Sequence, residues 1–224
     1  SPQLSAVLQQ FYTEAVRPVS LVPVLRNQQN TRIRSFSNNA ARAERDRFNQ
    51  MIGLFRKYGE QYRLDPLMLA ALGYQESQLR QEARSPVGAI GVMQLMPATG
   101  RSMQVGDIKL LEPNVHAGAR YLDRLMTRYF QGADFDEMNR TLFAFAAYNA
   151  GPTRMQQMRR LAGERGLDPD VWFNNVELVV AERIGLETTT YVRNILKYYV
   201  AYSLIEETRS TRREALQAVP DAAQ

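Results

Sequence analysis

One carboxylate of this chain stands in line with a hydrophobic helix face. Leu69, Leu72 and Glu76 are spaced by three and four residues, in a helix predicted over residues 66–79 and capped by Asp65. Burial disfavours the ionised form, and the C-terminal end of a helix adds negative potential, so both effects raise the pKa of Glu76. A carboxylic acid that stays protonated near neutral pH can serve as a general acid. The structural alternative is a Glu paired with an Arg, or one placed at the rim of this face.

A turn-rich segment follows this helix, and its composition suits contact with a neutral ligand. Residues 85–97 read SPVGAIGVMQLMP, with Gly88 and Gly91 three positions apart. Glycine permits left-handed backbone conformations and close approach to a ligand. Gln94 offers a donor and an acceptor to a polyhydroxylated molecule. The spacing is not a phosphate-binding fingerprint, because no Gly-Lys-Ser/Thr follows it and no strand precedes it.

Two further segments place polar side chains at helix ends. The string AYNAG sets Tyr148 and Asn149 at the end of an apolar helix, and the string ETTTY sets Glu187 and Tyr191 four residues apart. Each has a structural alternative. Tyr148 can fill the edge of the core while Asn149 belongs to a helix stop, and Glu187 can be an acid at the positive end of a Thr-capped helix.

The elements that must position these residues are predicted to be helices. A first helix is expected to begin at about residue 40, with Phe48, Ile52 and Phe55 as its buried stripe. Further helices are expected over 66–79, from an Asn114 cap to about 129, from an Asp136 cap to the stop at Gly151-Pro152, over 153–162 and 174–184, and from 188 past 202. Strand-like character is confined to residues 19–25. The predicted fold class is therefore all-α, a compact helical body. The predicted division of the chain is an N-terminal arm at 1–41, a helical domain at 42–215, which the resemblance described below implies to be catalytic and to carry a cleft, and a tail at 216–224.

Composition excludes several kinds of chemistry. The chain has 224 residues, no Cys and one His. The absence of Cys excludes disulfides, a thiol nucleophile and Cys-based zinc sites, and a single His excludes metal sites built on two or more histidines. His116 is interpreted as a structural or surface residue near a helix start, and no cofactor is expected.

The net charge of +5 is unevenly distributed along the chain. Residues 1–63 hold 10 Lys and Arg against 4 Asp and Glu, whereas residues 64–224 hold 18 against 19. The basic character belongs to the N-terminal quarter, so the remaining body suits an uncharged polymer. Nucleic-acid binding through the Arg-rich arm is a weaker hypothesis, because no aromatic residue lies between Arg26 and Ser35.

Taken together, in this order, the four segments resemble the motifs of family 1 lytic transglycosylases. They are Glu76-Ser77, the string Gly91-Val92-Met93-Gln94, the string 147–151, and the pair Glu187 and Tyr191. The resemblance extends over about residues 60–205, with Val92 where Leu is common. It implies a goose-type lysozyme-like, all-helical fold. Within the family the chain is most similar to the catalytic module of membrane-bound lytic transglycosylase F.

The resemblance also implies a reaction and a set of site residues. Glu76 becomes the single acid/base that cleaves the β-1,4 bond between N-acetylmuramic acid and N-acetylglucosamine and leaves a 1,6-anhydro end. A second carboxylate is not required, because the substrate supplies its N-acetyl carbonyl and C6 hydroxyl in place of the partner that other glycosidases need. The residues implied to bind substrate or shape the cleft are Ser77, Ser85, Met93, Gln94, Met96, Tyr148, Asn149, Glu187 and Tyr191. Among these, Asn149 is expected to hold the loop that contains Gly91.

The same resemblance implies a setting for the chain. The expected partners are peptidoglycan glycan strands and muropeptides, with no nucleic acid. Residues 1–41 become the end of an upstream module like a periplasmic solute-binding protein. Because the chain starts at Ser1 without an initiator Met, it is interpreted as a mature or excised fragment. The resemblance implies that the full-length protein is tethered to the outer membrane and faces the periplasm. Two rival functions are a catalytically silent peptidoglycan-binding module and a true hydrolysing muramidase.

Overall fold

The computed structural model describes the backbone of residues 39–217 and the side chains of residues 42–211. Within these residues the chain forms eight α-helices and one π-helical turn. The helices are α1 Asn39–Tyr62, α2 Pro66–Ser77, α3 Pro97–Met103, α4 Leu111–Arg128, α5 Glu137–Ala150, α6 Pro152–Glu164, α7 Glu177–Arg183 and α8 Leu186–Gln217, and the π-helical turn is Trp172–Val176. The predicted all-α class is confirmed over this part of the chain. Residues 1–38 of the predicted arm, with the predicted strand-like residues 19–25, and the end of the tail lie outside the described residues.

Local sequence signals set the ends of the helices that matter for the site. The Asp65 side chain accepts hydrogen bonds from the backbone N–H groups of Leu67 and Met68, and Pro66 occupies the first helical position of α2. Asp136 caps α5 by accepting from Asn139 N–H, and Gly151 ends α5 with a φ of 90°. These three predicted signals are confirmed.

The hydrophobic core is centred on α5. Residues 142–147 of this helix are fully buried, and they pack in one apolar cluster with α2, α4 and α8. Helix α8 lies against α2, α5 and α7, while α1 lies against α2 and α4. Burial of so many apolar side chains is the main source of stability of an all-helical body of this size. No helix among the described residues has the length and apolar character needed to cross a bilayer.

Three predicted helix bounds were wrong. Helix α2 stops at Ser77, because Gln78 and Leu79 both take positive φ values. Helix α4 begins at Leu111, so Asn114 lies inside it and is not its cap. The segment predicted as a helix over 174–184 contains a kink at Asn174, with φ 58°, before α7 begins. In addition, the short α3 was not predicted.

Candidate active site

The carboxylate of Glu76 lies in the last turn of α2, on the side of the helix that faces the core. Leu72 and Leu69, one and two turns before it, are fully buried. Burial raises the pKa of Glu76 to about 7, and a hydrogen bond donated by the Tyr191 hydroxyl opposes part of that rise. The partner of the acid is therefore a tyrosine and not an arginine. The predicted effect of burial on this carboxyl group is confirmed.

Two tyrosines from different helices flank the acid. Tyr191 of α8 donates to Glu76 Oε1, whereas Tyr148 of α5 donates to the backbone carbonyl of Met93 at 2.7 Å. Burial holds the pKa of both phenols well above the ordinary value, and the negative charge of Glu76 adds to the rise. Both hydroxyls therefore keep their protons at neutral pH and act as hydrogen-bond donors beside the acid.

The loop that follows α2 is densely hydrogen-bonded. Every backbone N–H and C=O group of residues 89–93 has a hydrogen-bond partner. Antiparallel bridges join Ile90 to Arg84 and to Leu95. Gly91 has a φ of 79°, and a Cβ atom there would lie 2.5 Å from Asn114 Nδ2. The predicted need for glycine at this turn therefore arises from close packing as well as from backbone conformation.

Two carboxamides hold this loop, that of the buried Asn114 and that of the partly buried Gln81, and sequence reasoning missed both. Asn114 accepts from Met93 N–H at 2.8 Å and donates to the carbonyls of Ile90 and Ile108, both at 2.9 Å. Gln81 accepts from Val92 N–H at 3.2 Å. A signal for Asn114 was present, because it lies in line with the apolar face of α4, as Glu76 does in α2.

The hydroxyl of Ser77 is engaged within the protein. It donates toward the Val92 carbonyl at 2.9 Å, lies 3.2 Å from the Gly73 carbonyl, and accepts from Arg80 N–H. Ser77 is buried, so this hydroxyl fastens the end of α2 to the loop. The hydroxyl of Ser85 likewise accepts from Ala89 N–H inside the turn.

The remaining predicted loop residues differ in exposure. Met93 is fully buried and packs so closely on Gly118 that a Cβ atom there would lie 2.5 Å from Met93 Cγ. Met96 is 43% exposed, immediately before α3. Gln94 is partly buried and donates through Nε2 to the Gly91 carbonyl at 2.8 Å. Of the two methionines, Met96 is the one whose side chain is open to a ligand.

A pocket of about 310 Å³ opens between the end of α2 and the start of α8. It is lined by Gln75, Leu186, Glu187, Thr190, Tyr191 and Asn194. Tyr191 both lines this pocket and donates to Glu76. Glu187 is exposed and lines the same pocket.

Asn149 does not hold the loop that contains Gly91, and that predicted role was wrong. Its carboxamide oxygen accepts from the Thr188 hydroxyl at 2.8 Å, which joins the end of α5 to the start of α8. The loop is held by Asn114 instead. The lone His116 stacks on Tyr58 and forms a hydrogen bond with the Tyr62 hydroxyl between α4 and α1, so it is a structural residue as interpreted.

Removing the Tyr191 hydroxyl is expected to raise the pKa of Glu76 above its value of about 7. That hydroxyl favours the charged form of the carboxyl group, so Tyr191→Phe leaves the effect of burial unopposed. A titration of the Glu76 side chain by ¹³C NMR measures the change. Tyr198→Phe, on the same helix, is the control, and an unchanged or lower pKa in Tyr191→Phe would contradict this account of the acid.

The chain is similar in sequence to known proteins of one family. A profile described as the transglycosylase SLT domain matches residues 53–170. The chain is 35% identical over 187 residues to membrane-bound lytic murein transglycosylase F 1 of Alkalilimnicola ehrlichii, covering 78% of this chain and 37% of that protein. It is 33% identical to membrane-bound lytic murein transglycosylase F of Marinobacter nauticus, covering 73% of this chain and 35% of that protein. The chain thus spans just over a third of the length of these curated relatives.

Two solved structures are also similar to this chain. An inactive mutant of the lytic transglycosylase Slt from Pseudomonas aeruginosa superposes with a TM-score of 0.54 and 27% identity, over 69% of this chain and 24% of that one. The 70 kDa soluble lytic transglycosylase of Escherichia coli gives a TM-score of 0.52 with the same identity and coverage. The helical arrangement around Glu76 is therefore the lysozyme-like arrangement of these domains.

Proposed function

The chain belongs to the transglycosylase SLT family, and from this membership we propose that it is a lytic transglycosylase acting on peptidoglycan. The proposed reaction cleaves the β-1,4 bond between N-acetylmuramic acid and N-acetylglucosamine. Its product carries a 1,6-anhydro ring on the muramic acid.

The observation that carries this proposal is the single acid between two tyrosines. Burial sets the pKa of Glu76 at about 7, so a large fraction is protonated at neutral pH and can donate. Within residues 42–211, the hydrogen-bond partner of this carboxyl group is Tyr191, and no second carboxylate is bonded to it. An enzyme that must first donate a proton and then accept one needs one group with a pKa near the working pH.

The reaction proceeds in two proton transfers through Glu76. The protonated carboxyl gives its proton to the glycosidic oxygen as the bond from that oxygen to C1 of the muramic acid breaks. The resulting carboxylate then takes the proton of the C6 hydroxyl, whose oxygen forms the new bond to C1. The acid is thereby regenerated. The Tyr191 hydroxyl stabilises the carboxylate between the two transfers, because a hydrogen bond to an ionised acceptor is stronger than one to a neutral acceptor.

The surrounding residues take binding or positioning roles in this proposal. Met96 and Gln94 lie where the loop meets solvent and contact sugar, while Glu187 binds polar groups of the glycan or its peptide in the pocket beside Tyr191. Ser77, Ser85, Met93 and Asn149 act through the hydrogen bonds and packing that hold the loop and the helix ends.

We further propose that the chain is the catalytic module of a larger envelope protein. The relatives named above are membrane-bound enzymes of which it spans just over a third. A domain over residues 42–215, an upstream regulatory module joined through residues 1–41, and tethering at the outer membrane with the site in the periplasm are parts of this proposal.

Digestion of purified sacculi tests the reaction. Mass spectrometry of the released fragments is expected to show muropeptides that end in 1,6-anhydro-N-acetylmuramic acid. Fragments with reducing muramic acid, which are heavier by one water, would identify a hydrolysing muramidase instead. Binding to sacculi without release would identify a silent peptidoglycan-binding module.

A further inference from the structure

Tyr191 and Tyr148, the two tyrosines whose pKa values are raised by the charge of Glu76, make different hydrogen bonds. Tyr191 gives its proton to the carboxyl group, and Tyr148 gives its proton to the Met93 carbonyl at 2.7 Å. The charge of Glu76 contributes to the raised pKa of Tyr148. The loop that Tyr148 contacts is also bonded, through the Val92 carbonyl at 2.9 Å, to the hydroxyl of Ser77, the residue after Glu76. What decides the direction of the Tyr148 hydroxyl is therefore the position of the Met93 carbonyl.

That position is fixed by a clamp on the neighbouring peptide group. The peptide that joins Val92 to Met93 is held on its carbonyl side by the Ser77 hydroxyl at 2.9 Å. On its N–H side it is held by Asn114 Oδ1 at 2.8 Å. The other end of the Asn114 carboxamide donates to Ile90 and Ile108, so the carboxamide itself cannot turn without losing both bonds.

Asn114 has no freedom to relax around this clamp. Its side chain is fully buried in α4. Gly91 packs against it so closely that a Cβ atom would lie 2.5 Å from its nitrogen and 2.7 Å from its Cγ. Loss of the carboxamide would leave the buried Met93 N–H without its partner, so we expect this part of the loop to shift. The carbonyls of Ile90 and Ile108 would still accept from Leu95 N–H and Gln81 Nε2.

We propose that Asn114 is a positioning residue for the acid, which keeps the Tyr148 hydroxyl directed at the Met93 carbonyl and away from the Glu76 carboxyl group. This inference rests on the proposed role of Glu76 as the general acid. It extends that role to a residue in another helix that does not touch the acid.

The consequence concerns the protonation of Glu76. The titratable groups that interact with it are Tyr191 from α8 and Tyr148 from α5, and Tyr121 of α4 stands behind Tyr148 at a ring distance of 5.2 Å. A second phenol donating to the carboxylate would favour its charged form. The clamp therefore keeps a larger fraction of Glu76 protonated at neutral pH.

The experiment is a ¹³C NMR titration of the Glu76 side-chain carboxyl, with the signal assigned by its loss in Glu76→Gln. In Asn114→Leu, which has similar volume but no hydrogen-bonding group, we expect the pKa of Glu76 to fall by about half a unit or more. Asn139→Leu is the matched control. Its carboxamide accepts from Trp172 N–H at 2.8 Å, which also ties a backbone segment to a helix, and the pKa of Glu76 should not move.

A second pair of variants separates positioning from general loosening. In a Tyr148→Phe background there is no phenolic proton to redirect, so adding Asn114→Leu should leave the pKa of Glu76 unchanged. The proposal would be overturned if the pKa of Glu76 still fell in the Tyr148→Phe background, or if it did not fall in Asn114→Leu alone.

Asn114→Ala, which leaves room for a water molecule, replaces Asn114→Leu if the latter does not fold, and the same outcomes apply. Since the titration uses no peptidoglycan, its failure is distinguishable from a wrong product in the digestion.

Discussion

Glu76→Gln is expected to lower the release of anhydromuropeptides by about 10³-fold or more, since general acid–base catalysis typically contributes 10²–10⁴-fold and this residue performs both proton transfers. The amide matches the carboxyl group in shape but cannot give up a proton to the glycosidic oxygen. It can still accept the hydrogen bond from Tyr191, so the site keeps its geometry. The measurement is the rate of product release from sacculi at fixed enzyme concentration, followed by mass spectrometry.

Two controls define what this loss means. Glu187→Gln removes the exposed carboxylate of the neighbouring pocket and is expected to weaken binding by about tenfold or less. An equally severe loss in Glu187→Gln would instead indicate a second catalytic carboxylate. Near-normal activity in Glu76→Gln would remove Glu76 from the reaction.

The stability of Glu76→Gln should also depend on pH in a defined direction. Because folding raises the pKa of Glu76 from 4.5 to about 7, its protonation stabilises the wild type fully below pH 4.5, and this contribution is lost as pH rises toward 7. The amide of Glu76→Gln does not titrate, so the variant does not lose this contribution above pH 7. The difference in free energy of unfolding between the variant and wild type is therefore expected to shift in favour of the variant by up to about 3 kcal/mol between acid pH and a pH above 7. Inactivity at pH 8 cannot then be attributed to unfolding.

Gly91→Ala is expected to destabilise the protein by about 3 kcal/mol, because strain and steric overlap act together at this residue. Its φ of 79° is unfavourable for Ala, and the added Cβ would lie 2.5 Å from Asn114 Nδ2 and 2.8 Å from Gln81 Oε1. Those two carboxamides can move only by giving up hydrogen bonds to the loop. Denaturant unfolding followed by circular dichroism measures the change.

Gly88→Ala separates the two contributions. Gly88 has a similar φ of 92°, but no atom lies within 4 Å of the position that its Cβ would take. Gly88→Ala should therefore lower the free energy of unfolding only by the backbone strain, about 1 kcal/mol. Equal destabilisation by the two substitutions would show that packing against Asn114 contributes nothing.

The helices that carry the site were largely predictable, because their signals are local. Asp65 with Pro66, Asp136, and Gly151 act within four residues of the helix ends that they define. The bounds that failed depended on contacts outside the segment. Asn114 has the side chain of a typical cap, yet it lies inside α4, where its carboxamide bonds with residues as far as 24 positions away.

The features of the site likewise divide into those that local sequence predicts and those that depend on contacts between distant segments. The sequence by itself predicted the candidate acid, since an ionisable residue in an apolar helical stripe is exceptional wherever the helix packs, and it determined the order of the motifs that mark the family. The tertiary structure alone decided which polar group meets which. Tyr191 reaches Glu76 across 115 residues, Tyr148 turns to Met93 across 55, and Asn149 bonds with Thr188 instead of the loop. A hydrogen bond depends on distances of a few tenths of an ångström, and those are set by how α2, α5, α8 and the loop pack together and not by any spacing along one helix.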